Sequence, residues 1–231
     1  MKHIIGVLFL LTLLESCHSS AILQTAKPVS KGSTEVSVAA SGYSVSDIIP
    51  GVNAMVRTGI NERSDIGFAY SGTLYFQIRS DYKHVLWSHP QQSAFFSSGV
   101  GLDVLLLNDW GSDINSNIGL IAPLYFSFNH DGRVTPYFAQ SFTMGLFGLR
   151  TLADYRSSGP FHSSYREHVM FYSGGAGIRF GQRKRIRWMV ELSYKVWGTH
   201  RLYVGDEDIF RHYDRDGQVE LSVGAIIKSK N

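Results

Sequence analysis

The sequence predicts an all-β chain folded as an antiparallel up-and-down transmembrane barrel of ten strands, within a range of eight to twelve. Three observations predict it: a residue period of two along nearly the whole chain, apolar stripes long enough to cross a bilayer, and tight turns that all fall on one side. From Thr34 onward, apolar residues alternate with small or polar ones. The alternation runs through Val36, Val38 and Ala40, then Val52, Ala54, Val56 and Ile60, then Ile66, Phe68 and Tyr70. It continues through Leu74, Phe76 and Ile78, through Val100 to Leu106, through Ile118 to Phe128, and through Phe138 to Leu146. Met170 to Phe180, Ile186 to Val196 and Val219 to Ile227 complete it. Strict alternation marks strands with two unlike faces.

The stripe from Ile118 to Phe128 matches the roughly 9 to 11 residues of a tilted membrane-crossing strand. The other face is rich in Gly and Ser and carries Arg57, Arg79, Asp103, Arg179, Glu191, Lys195 and Glu220, with Arg187 near a turn. Opposite charges on the inward face of a closed barrel pair across a polar lumen. Aromatic residues collect near strand ends, among them Tyr43, Tyr70, Tyr82, Trp87, Tyr125, Tyr137, Phe147, Phe180, Trp188 and Trp197, as an interfacial girdle requires.

Tight turns are expected at 61–63, at His130-Asp131-Gly132 with its Asp-Gly signal, and at 182–185. Long connections are expected at 150–167 and 199–217. A fold-back at Ser71-Gly72-Thr73, with Gly72 left-handed, makes the strand count ten and places every tight turn on one side. Outer-membrane barrels have short periplasmic turns and longer outer loops.

The N-terminus carries Lys2, then a short apolar run from Ile4 to Leu14, then small polar residues, which is the pattern of an export signal. Cys17 is the single cysteine, so a disulfide within the chain is excluded. Leu14-Glu15-Ser16-Cys17 resembles a bacterial lipobox, which makes 1–17 the signal and Cys17 the lipid attachment; ordinary cleavage near Ser20 or Ala21 is the other reading. Residues 18–33, including QTAKPVSKGS, then read as a polar tether, and 34–231 as the barrel domain.

With Lys31-Gly32-Ser33-Thr34-Glu35-Val36 after the tether and Arg63-Ser64-Asp65-Ile66-Gly67-Phe68 after a tight turn, the organisation resembles the small outer-membrane β-barrel lipoproteins of Gram-negative bacteria. That resemblance implies an outer-membrane location, lipids and the barrel assembly machinery as partners, and a structural or surface-binding role around a narrow or plugged lumen. A net charge of +3 with 18% charged residues gives no reason to expect nucleic acid, and no cofactor is expected.

Two other functions remain open at this level. One is a lipid-modifying, deacylase-like enzyme using His162, Ser163 and Ser164 with Glu167 or His168; the other is a soluble lipocalin-like binder with the apolar stripes inside. Asp206, Glu207, Asp208, Asp214 and Asp216 form a candidate cation site in an outer loop, although the spacing of an EF-hand loop is missing and Arg211 and Arg215 intervene. The histidines lack zinc-ligand spacing. Arg183-Lys184-Arg185 with Arg187 forms a basic cluster at a turn, suited to anionic groups or simply to solvent.

Overall fold

The computed structural model describes residues 23–44, 48–72, 75–108, 114–130, 133–156, 159–181, 185–202 and 213–229. Ten strands form it: β1 (Thr34–Ser44), β2 (Ile48–Asn61), β3 (Ser64–Gly72), β4 (Tyr75–Ser88), β5 (Ala94–Asn108), β6 (Ile114–Phe128), β7 (Val134–Arg156), β8 (Gly159–Phe180), β9 (Ile186–Leu202) and β10 (Tyr213–Lys228). Each strand pairs antiparallel with the next, and β1 closes the ring on β10 from Glu35↔Lys228 to Ser44↔Val219. Closure leaves no sheet edge with unpaired backbone groups.

Alternation dictates which side faces out. Val38, Phe68, Val100, Leu102, Trp188, Leu192, Leu221 and Val223 are all exposed on the outer face, with Leu192 at 57%. The residues between them, such as Ser37, Asp103, Glu191, Ser193, Glu220 and Ser222, are buried inside. Polar-in and apolar-out is the inverse of a soluble barrel, so the lipocalin-like alternative is not favoured: its apolar ligand would need the stripes that here face outward. Trp87, Phe128 and Trp188 lie on the outer face at the ends of β4 and β6 and the start of β9, while Tyr125 and Tyr137 of the expected girdle turn into the lumen.

The two chain ends of the ladder and the connections at 62–63, 89–93, 129–133 and 181–185 share one rim, called here the turn end. Three local expectations are corrected. Gly72 is the last residue of β3 and is not among the described glycines with positive φ, which are Gly32 and Gly181. The connection expected at 150–167 is mostly strand: β7 and β8 stay paired from Leu149↔Arg166 to Arg156↔Gly159. At 199–217, β9 runs on to Leu202 and β10 begins at Tyr213. A strand needs backbone pairing but no apolar stripe, so these extensions can lack the alternation that marks the rest.

A recurrent device places long side chains across neighbouring strands. Arg57, Gly67 and Asp81 occupy one register row on β2, β3 and β4. The bare backbone of Gly67 lets the Arg57 guanidinium lie over β3, and a Cβ there would overlap it. Tyr137, Gly177 and Glu191 repeat the arrangement on β7, β8 and β9, with the phenol donating to Glu191 Oε2 at 2.6 Å. On the outer face Gln140, Gly174 and Tyr194 form a third such row. Tyr194 crosses Gly174 and is hydrogen-bonded to both Gln140 and Tyr172, which gives the polar Gln140 a partner within an apolar surface.

Candidate functional site: the lumen and its plug

Residues 23–33 do not form a tether beside the barrel. They run inside it, with Leu23, Gln24, Thr25, Ala26, Val29 and Ser33 buried. A polar segment in water and a polar segment in a polar lumen have the same composition, which is why the sequence alone placed it outside. The segment, called here the plug, is anchored at the turn end. Gly32 takes a positive φ of 73° and donates to Gly59 O at 3.0 Å, and Gly59 N donates to Ser33 O at 3.0 Å. A register shift between Gly59 and Asn61 accompanies this attachment, and no side chain fits at Gly59, where a Cβ would run into the Ser30 and Val29 carbonyl oxygens.

Deeper in, lumen side chains satisfy the plug backbone, which has no ladder of its own. Asp65 Oδ2 accepts from Val29 N at 2.8 Å, Ser127 Oγ from Ala26 N at 3.0 Å and Glu191 Oε2 from Leu23 N at 2.9 Å. Lys83 Nζ donates to Thr25 O at 2.8 Å, and Ser97 Oγ to Ala26 O at 2.6 Å. The Gln24 amide donates to the Tyr125 hydroxyl. Leu23 packs in an apolar cluster with Ala39, Met55, Tyr137, Met189 and Ile226. Two gaps along the plug have volumes of about 10 Å³ each. Such a gap holds roughly one water.

A charge network surrounds this segment. Arg57 bonds Asp65 at 2.6 Å and Asp81 at 2.9 Å, and Lys83 lies 3.3 Å from Asp65. Further along the lumen, Gln77 donates to Asp103 at 2.7 and 2.8 Å, and Asn53 donates to Ser41 and to Glu220 at 3.1 Å. Lys195 lies within electrostatic reach of Asp103 and Glu220. Arg57, Arg79, Asp103, Arg179, Glu191, Lys195 and Glu220 are all buried inside the ring. Asp65, Asp81 and Lys83 join them and were missed in the sequence, although their alternation with Ile66 and Tyr82 carries the same signal.

At the turn end the lumen widens into a cavity of about 170 Å³ whose lining includes Lys27, Glu35, His130, Arg179, Arg187 and Lys228. Glu35 bridges Arg187 at 3.3 Å and Arg179 at 3.6 Å. Lys27 lies over the Phe95 ring at 5.4 Å, and that ring meets His130 edge-on at 5.0 Å. Burial, with Lys27, Arg179, Lys83 and Arg187 nearby, pushes His130 down to about 3, so the imidazole is neutral at pH 7. Ser127 Oγ accepts from the plug at Ala26 N and is hydrogen-bonded to His130 Nε2 at 2.8 Å.

The other sequence-predicted positions are less informative. Cys17, Asp206, Glu207 and Asp208 lie outside the described residues. Asp214 and Asp216 belong to β10, opposite Thr199 and Trp197, so they are not loop residues as expected. His162, Ser163 and Ser164 are strand residues of β8 opposite Ala153, Leu152 and Thr151, which corrects their assignment to a loop. Among the described residues no group of three His, Cys, Asp or Glu side chains is placed to hold a metal.

No protein-family model and no curated protein matches the chain. Solved structures with similar strand arrangements include Neisserial surface protein A, at 11% identity and a TM-score of 0.39 over 84% of this chain and 95% of that one. The N-terminal β-barrel domain of Pseudomonas aeruginosa OprF gives 10% identity and 0.36 over 86% and 98%. The CymD monoaromatic hydrocarbon channel gives 7% and 0.34 over 88% and 90%. At these values the architecture rests on the chain's own closed ladder and outward apolar face.

Proposed function

We propose that this chain is an outer-membrane β-barrel with a structural or surface-binding role, its lumen closed by its own N-terminal segment. One observation carries the reading: an exposed apolar belt surrounds a lumen filled by residues 23–33. Leaving large side chains such as Phe68, Leu102 and Leu192 in water would forgo roughly 1.5 to 3 kcal/mol each, whereas lipid accepts them. The filled lumen argues against a diffusion pore. The turn end is the periplasmic side by the loop-length rule, which puts the long β7–β8 hairpin outside.

The plug also bears on Cys17. Leu23 sits beside Glu191 inside the barrel, and six extended residues span at most about 20 Å. A lipid on Cys17 would have to reach a leaflet within that length. Cleavage near Ser20 or Ala21 makes no such demand.

The test is electrophoretic mobility of the Cys17→Ala protein from washed outer membranes, unheated and heated. The expected result is retention in the membrane and a mobility shift on heating, as a closed barrel resists detergent until boiled. Loss to the wash with no shift would remove the membrane assignment.

A further inference from the structure

We infer that the cavity at the turn end is a binding site for a phosphate group. Among the described residues its lining carries four cationic side chains, Lys27, Arg179, Arg187 and Lys228, against the one carboxylate of Glu35. That carboxylate is shared between both arginines at 3.3 and 3.6 Å, longer than a well-formed charge-assisted hydrogen bond. Among the described residues the buried Nε atoms of Arg179 and Arg187 have no hydrogen-bond partner. A buried donor left unsatisfied costs about 1 to 3 kcal/mol, and here two such donors belong to cations lining one cavity.

The chemistry selects the ligand class. Guanidinium forks favour planar or tetrahedral oxyanions over halides. The surplus of positive charge left by Glu35 calls for a group carrying more than one negative charge, which a phosphate supplies and a single carboxylate does not. The cavity of about 170 Å³ holds a tetrahedral oxyanion with a few waters. Lys27 arrives on the plug, Arg179 from β8, Arg187 from β9 and Lys228 from the last position of β10. An anion bound there would fasten the plug to three strand ends. This inference rests on the cavity alone and holds whether or not the barrel sits in the outer membrane.

The phosphate could be free or part of a lipid headgroup, and two probes separate the sources: sodium phosphate, and short-chain phosphatidic acid in neutral detergent micelles. Each is titrated calorimetrically into full-length detergent-folded protein at pH 7 and low salt. The expected result is saturable binding that weakens at least about tenfold in Lys27→Gln/Lys228→Gln, the loss of two charge-assisted contacts. Glu35→Gln should bind more tightly, because it releases both arginines. Heat-shifted mobility verifies that each variant is folded. Binding of inorganic phosphate assigns the free anion, and binding of phosphatidic acid alone assigns the headgroup. No saturable binding of either probe up to about 10 mM would overturn the inference, as would binding that survives the double lysine change or weakens in Glu35→Gln.

Discussion

A chain lacking residues 23–31 is expected to conduct ions where the full-length protein is silent. The ladder does not depend on the plug, since β1 closes on β10 and β2 through its own pairs from Thr34 onward. Deletion would leave Asp65, Lys83, Ser97, Ser127 and Glu191 without the plug backbone groups they now bind. Those side chains are polar and charged, so water enters and solvates them, and the emptied lumen becomes a narrow aqueous path. Planar-bilayer recording should show at least about a tenfold rise in current; small barrels are otherwise filled by their side chains. Gly59→Leu offers a single-residue version, because its side chain must displace Ser30 and Val29. A deletion variant that folds and stays silent would mean that wall side chains alone close the lumen.

Asp65→Ala should be the most damaging single substitution in the lumen. Asp65 is fully buried and serves three donors: Arg57, Lys83 and Val29 N. Without it, two cations share Asp81 in a site with no direct access to solvent. Breaking a buried ion-pair network by removing one member costs about 3 to 5 kcal/mol. For a domain of this size that lowers the unfolding midpoint by roughly 10 °C, read as the temperature of the mobility shift. Asp65→Ala/Lys83→Met removes one charge of each sign and leaves the Arg57–Asp81 pair balanced, so it should recover part of the loss. If the single and double variants melt alike, the cost lies in the lost plug hydrogen bond instead of the charges.

How much of this was legible in the sequence follows from what each signal reports. Alternation in Ile118 to Phe128 or Ile186 to Val196 reports two unlike faces, one apolar and one polar, and it located those strands well. The same signal is silent where β7 and β8 continue past Leu149 and Arg166, because a strand in water need not be apolar on either face. Turn asymmetry gave ten strands, since each reversal must alternate sides. The plug was hidden because its residues suit a linker as well as a lumen. The rows through Gly67, Gly177 and Gly174 depend on which residues lie opposite one another across three strands, and register is not written in any one of them.

The plug is the feature on which the proposed closure depends, and a short cross-link tests it most directly. Ser97 Oγ donates to Ala26 O at 2.6 Å, so Ala26→Cys and Ser97→Cys in a Cys17→Ala background place two thiols across the plug and the β5 wall. Treatment of the membrane-extracted, unheated protein with a short bismaleimide should join them and leave neither thiol open to a bulky water-soluble maleimide. Labelling of both cysteines by the bulky reagent, with no cross-link formed, would show that residues 23–33 lie outside the barrel and that the lumen is open.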